Sequence, residues 1–274
     1  MEKIDRLGWA AGISFTIHGV RVGVRVNTAA ALKLAEDYFP PGWKLSSSPV
    51  VERLYSLISG GNGEAERGVR RFNLLYRDLA RIVRTRNLEE ALEIFESDLQ
   101  LHVATEARRR VFVHAGVVGW KGQAILVPGR SYSGKTTLIA ELVKAGATYY
   151  SDEYAVLDAR GRVHPFARPL QIREDETGKQ KRYSIETLGG RKGVKPLPVK
   201  LVVMSRYKAG AKWRPRQLSA GQGVLEMLAQ TASARTQPEK AFAALKQVVK
   251  QASILKSVRG EAGEMVDFLL RYPD

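Results

Sequence analysis

Gly129-Arg130-Ser131-Tyr132-Ser133-Gly134-Lys135-Thr136-Thr137 reads G-x-x-x-x-G-K-T. Glycines at the two ends of such a stretch let successive backbone N–H groups converge on an anion, and the following lysine adds a point charge. The hydroxyl after the lysine suits a magnesium ion that otherwise keeps water and phosphate oxygens. This is the spacing of a phosphate-binding loop, and it predicts a buried strand before it and a helix after it. Both flanks comply. Residues 123–128 (QAILVP) are a short apolar run, and residues 136–145 (TTLIAELVKA) carry Leu138, Ile139, Leu142 and Val143 at helical spacing, with Gly146 as a stop. All nine residues from Gly129 to Thr137 are therefore candidate nucleotide contacts, and the helix N-terminus adds its own partial positive charge.

Outward from the loop, residues 111–118 (VFVHAGVV) and 123–127 read as two strands around Gly119-Trp120-Lys121-Gly122. Further strands are expected at 148–150, 154–157, 162–163 and 199–205, with helices at 219–229, 238–251 and 261–270. Residues 174–195, rich in Gly, Lys and Arg, read as a loop. The first hundred residues have a different texture. Strands at 13–18 and 20–26 join through His18-Gly19, and a helix at 28–39 ends at Pro40-Pro41-Gly42. Strands at 50–59 and 69–76 flank Gly60-Gly61-Asn62-Gly63, and a helix at 87–108 starts on Asn87 with Leu88, Leu92, Ile94, Phe95 and Leu99 as its buried stripe. The expected organisation is an α+β module over 1–109 followed by an α/β domain over 110–274.

Two acids compete for the role of partner to the loop. Asp152-Glu153 follows Lys135 by seventeen residues, and a carboxylate there can hold magnesium or take a proton from a hydroxyl. Asp158 ends the apolar run 154–157 but precedes Ala159-Arg160-Gly161, where an aspartate also starts a tight turn. The adjacent pair is the stronger candidate. His114 lies in an apolar strand, where a histidine is more often a core residue than a catalyst. Arg168 and Arg173 bracket residues 169–172 and are candidates for a phosphate clamp.

Composition bounds the rest. The chain has 274 residues, no cysteine and four histidines without zinc-type spacing, so disulfides, thiol chemistry and thiolate metal sites are excluded. No apolar run approaches the ~18 residues of a membrane helix, and the first residues lack the pattern of a signal peptide, so a cytoplasmic protein without membrane contact is expected. The formal net charge of +16 favours acidic partners, nucleic acid among them, although clusters such as Arg108-Arg109-Arg110 match no nucleic-acid motif.

Taken together, His114-Ala115-Gly116, the loop 129–136 and Ser151-Asp152-Glu153 resemble the core of the HPr kinase/phosphorylase family, whose phosphate loop is similar to that of ATP-dependent phosphoenolpyruvate carboxykinase. The likeness covers roughly residues 111–173. It implies a P-loop kinase core built on a mixed sheet with flanking helices. It further implies ATP and Mg²⁺ as cofactors, Lys135 and Thr136 on phosphate and metal, Asp152 as proton acceptor, Glu153 as metal ligand and His114 as an active-site residue. The implied activity is phosphorylation of a hydroxyl, a serine of a peptide or small protein, and the family's hexamers imply an oligomer. The chain departs from that pattern at Tyr132, where the family carries Gly, at Glu153, where it carries Asp, and in lacking the glycine-rich signature after the acid pair. Two other expectations stand beside it: a nucleotide-binding regulatory protein with little catalysis, and a protein that binds or phosphorylates nucleic acid.

Overall fold

The computed structural model describes residues 3–60, 71–130, 133–173 and 180–272. The chain divides into two compact units, residues 1–108 and 109–274.

The first unit opens with a hairpin, β1 (Ala11–Ile17) and β2 (Val20–Val26), paired antiparallel through the two-residue turn His18-Gly19. Helix α1 (Ala29–Glu36) is capped by the Thr28 side chain, which accepts from the Ala31 N–H. Strands β3 (Lys44–Leu45), β4 (Arg53–Ile58), β5 (Asn73–Arg77) and β6 (Ala80–Thr85) complete a six-stranded sheet in the order β3-β1-β2-β4-β5-β6. Helix α2 (Leu88–Glu106) starts on Asn87, whose side chain accepts from the Glu89 N–H, and it packs on β5 and β6. Its buried stripe holds Leu92, Phe95 and Leu99 as expected, but Ile94 is exposed: the inner face runs through Glu96 and Val103, a fraction of a turn away. The expected turn at 60–63 extends into residues outside the described part.

The second unit is a mixed α/β structure. Its strands are β7 (Val111–Trp120), β8 (Gln123–Pro128), β9 (Thr148–Ser151), β10 (Tyr154–Leu157), β11 (Arg162–His164), a separate two-stranded ribbon of β12 (Leu170–Arg173) and β13 (Gln180–Tyr183), β14 (Leu197–Tyr207), β15 (Arg216–Gln217) and β16 (Ser253–Arg259). The helices are α3 (Lys135–Lys144), α4 (Ala220–Leu228), α5 (Pro238–Gln251) and α6 (Gly263–Arg271). The main sheet runs β11-β10-β7-β8-β14-β16-β15, with β9 also on β7. Strands β8, β14 and β16 are mutually parallel, and β7 is antiparallel to β8.

Successive residues of the central strands enter opposite cores. Leu126, Val202 and Ile254 pack with α4 and α5, whereas Ile125, Val127, Val203 and Leu255 pack with α3 and α6. Helices therefore cover both faces, which is why these strands are unbroken apolar runs rather than alternating ones. Gly116 on β7 lets α3 approach closely, since a Cβ there would meet Ile139 Cγ1 at 2.5 Å. Two features differ from expectation. The three C-terminal helices form where expected, but an unexpected strand, β16, returns between α5 and α6 beside β14. The segment 174–195 is only partly loop: residues 180–183 form β13 and residues 185–188 a 3-10 turn, while 174–179 lie outside the described residues. Among the described residues no helix is long and apolar enough to cross a membrane.

Candidate functional site

The sheet topology gathers the candidate residues along one line. On one edge of β7, Ala115 faces Pro128, the last residue of β8, so the loop begins beside His114; the Gly129 N–H donates to the His114 carbonyl at 3.2 Å. The other edge of β7 is shared. Its N-terminal half pairs with β10 and its C-terminal half with β9. Asp152 and Glu153 fill the break between those two strands, and the Ala115 N–H donates to the Glu153 carbonyl at 3.1 Å. The acid pair thus interrupts a strand instead of lying on one, and the interruption carries it to the place where the loop starts.

Gly134 ends the loop and caps α3 in the left-handed region, at φ +85°, where a side chain would also collide with Arg259 Nη2. Lys135 follows at the first turn, buried to 7% exposure. Its ammonium donates to the carbonyls of Gly129 and Arg130 at 2.8 and 2.9 Å, which closes the loop on itself and leaves one ammonium hydrogen for a further acceptor. Burial lowers the lysine's pKa, and the charges of Glu153 and Asp152 oppose that shift. The two acids thus lie near enough for their charges to bear on the lysine. Thr136 sits in the same first turn and is partly buried, while Thr137 is exposed. Ser133 Oγ is buried without a hydrogen-bond partner among the described residues. Ser131, Tyr132 and the Arg173 side chain lie outside the described part; Arg173 stands on β12 opposite Gln180.

Asp152 is held from behind. The hydroxyl of Tyr149, itself fully buried, lies 3.0 Å from Asp152 Oδ1 and 2.9 Å from the Arg168 carbonyl, and donates its one proton between them. Burial and the neighbouring Glu153 push the Asp152 carboxyl up to about 6, against the lowering effects of Tyr149 and the Arg168 charge. A carboxylate with that value is ionised at neutral pH yet basic enough to take a proton. His114 Nε2 is 3.5 Å from Glu153 Oε1, and the ring tilts against Tyr154. Burial, then the Lys135 charge, hold His114 down at about 4, so the imidazole is neutral.

The rival acid has a different job. Asp158 Oδ1 accepts from the N–H groups of Arg160 and Arg162, and Oδ2 lies 3.0 Å from both Arg162 Nε and His164 Nε2. Burial would raise its pKa, but these bonds outweigh it and bring the carboxyl to about 2. It fastens the β10–β11 turn.

A scan against protein-family models and a search of curated proteins return no match.

Arg259 is absent from the sequence-based candidates. It ends β16 at 2% exposure, and Nη2 donates to the Gly134 carbonyl at 2.8 Å, Nη1 to the Gly260 carbonyl at 2.9 Å. Its Nε has no partner among the described residues, and the guanidinium lies over the Tyr207 ring. Parallel neighbours β8, β14 and β16 all end at this side of the sheet. There a cavity of about 660 Å³ opens beside the loop, sharing Gly129, Arg130 and Ser133 with it. No group of three or more metal-ligating side chains occurs among the described residues. Magnesium held with a nucleotide does not need one, because phosphates and water supply most of its ligands. The chemistry of Thr136 at the helix start and of Glu153, whose charge acts on Lys135, fits such an ion, and the orphaned Ser133 hydroxyl in the loop is an unused polar contact.

Proposed function

We propose that this protein is an ATP- and magnesium-dependent phosphotransferase with a P-loop kinase core of the HPr kinase type, acting in the cytoplasm on a hydroxyl, a serine of a peptide or small protein. One observation carries the reading: a buried lysine that opens α3 behind a G-x-x-x-x-G loop interacts with a carboxylate pair inserted by a break in the neighbouring strand.

In this mechanism Lys135, the loop N–H groups and the α3 N-terminus hold the donor's phosphates. Thr136 and Glu153 would hold Mg²⁺, which supplies positive charge to offset that of the phosphates. Asp152 accepts the proton of the attacking hydroxyl; the acceptor oxygen bonds to the terminal phosphorus while the bond from that phosphorus to the leaving diphosphate breaks, its electron pair departing on the diphosphate oxygen. Tyr149 orients Asp152, and neutral His114 fixes Glu153 without adding a competing charge. Arg168 offsets charge beside Asp152.

The test is transfer of labelled phosphate from ATP into a host lysate, followed by identification of the labelled species. A labelled seryl peptide or protein supports the reading. Tight ATP binding with no labelled product would point to a nucleotide-binding regulator, and label in RNA or DNA to a nucleic-acid kinase, for which the +16 net charge is the supporting observation.

A further inference from the structure

The cavity beside the loop is lined by Arg130, Arg206, Arg214, Arg216 and Lys256, with Glu226 as its one carboxylate. Glu226 is already engaged by Lys256 at 2.5 Å. Among the described residues the four arginine side chains have no carboxylate partner. Arg216 stands opposite Lys256 across the β15–β16 pair, and because Glu226 is spent on Lys256 the four arginines are left as uncompensated like charge around one cavity. Nothing in the packing requires it, since Arg206, Arg214 and Arg216 are all exposed. A locally disfavoured arrangement of this sort is expected where a ligand relieves it.

Strand order says which ligand. The loop follows β8; Asp152 and Glu153 lie across β7 on one side of it, and the cavity lies over β14, β16 and β15 on the other. In an in-line transfer the attacking and leaving oxygens sit on opposite sides of the phosphorus. With the proton acceptor on the β7 side, the leaving group must extend toward β14. We infer that this cavity is the seat of the donor's leaving polyphosphate, and that Arg130, Arg206, Arg214 and Arg216 recognise the donor through its negative charge. The inference rests on the phosphotransferase reading. Guanidinium groups suit the task, since each offers a planar fork of donors to phosphate oxygens. Arg214 and Arg216 lie apart from the loop, so their part in binding is separable from that of Lys135.

Calorimetric titration of the full chain with inorganic tripolyphosphate, ATP and adenosine tests this, using the wild type, Lys135→Ala and the double variant Arg214→Gln/Arg216→Gln. The exposed positions of the two arginines make the double variant a fair one to fold, and a melting curve checks it. Tripolyphosphate and ATP should both bind the wild type, with adenosine far weaker. The double variant should weaken both anions by about tenfold or more and flatten their salt dependence. Unchanged tripolyphosphate binding in the double variant would overturn the inference, as would adenosine binding as tightly as ATP. If Lys135→Ala binds ATP like the wild type while the double variant does not, the cavity stands and the loop-based reading of function fails.

Discussion

Arg259 and Gly134, 125 residues apart in sequence, are joined by a 2.8 Å hydrogen bond that ties the end of β16 to the last residue of the loop. The bond gives a second donor to the carbonyl of a left-handed residue just before Lys135, which also accepts from the Leu138 N–H, and it uses a guanidinium with almost no exposure. Arg259→Met keeps the volume but leaves the Gly134 and Gly260 carbonyls without this donor. It should lower stability by about 1–3 kcal/mol and raise the KM for nucleotide, measured by chemical denaturation and steady-state kinetics. Arg259→Lys should recover little, because one ammonium does not reproduce the two-pronged geometry. A variant with wild-type KM would remove Arg259 from the account of the loop.

Gly116 sets how closely α3 lies on β7. In Gly116→Ala the new methyl meets Ile139 Cγ1 at 2.5 Å, so the Ile139 side chain or the helix that carries it must shift. Overpacking of this kind costs roughly 1–3 kcal/mol, and Ile139→Ala in the same chain should recover part of that loss. Strict additivity of the two changes in denaturation experiments would argue against the contact.

Asp152 and Asp158 make opposite demands. The folded-state value of Asp152 is raised to about 6 from an unfolded value near 3.8, so its ionised form is disfavoured by folding. The stability it contributes is full below about pH 3.8 and is lost as pH rises through about 6. Asp152→Asn should therefore stabilise the protein at pH 7 to 8, by about 1 kcal/mol once partial exposure is discounted, and the gain should vanish near pH 4. Asp158 is lowered to about 2, so its contribution is present above about pH 3.8 and is lost as pH falls through about 2. Asp158→Ala should destabilise at neutral pH by about 2 kcal/mol and leave transfer active in the folded protein. Melting temperatures of both variants across pH, with transfer rates beside them, check the pair; the reverse assignment of effects would make Asp158 the functional acid.

The pH profile of kcat/KM should fall on the acid side with a midpoint near 6, as Asp152 takes up a proton. His114, held at about 4, should contribute no limb at neutral pH. A profile flat down to pH 5 would exclude Asp152 as the proton acceptor.

Much of this arrangement is legible in the sequence, for physical reasons that differ by element. The strand–loop–helix at residues 123–145 announces itself because an apolar run, a glycine-spaced turn and a helical periodicity occur in order. Asn87 and Thr28 mark helix starts because their side chains accept from backbone N–H groups two or three residues on. Strand β16 is hidden because Ile254 and Leu255 enter different cores while Lys256 and Arg259 break up the apolar run. Its signal is indirect: α5 after β14 needs a parallel return strand. With β16 unseen, Arg259 reads as one basic residue among forty-four. The acid pair is visible as two adjacent carboxylates, but not the change of partner along β7 that brings them to the loop. That is a tertiary pairing with no local trace.

The most direct test of the central claim separates binding from transfer at Asp152. Nucleotide affinity and single-turnover transfer of the terminal phosphate, measured on the wild type and Asp152→Asn at pH 7.5 with magnesium, should give similar affinities and a transfer rate reduced by about 10²–10⁴-fold. Transfer at the wild-type rate in Asp152→Asn, or loss of nucleotide binding with it, would contradict the account.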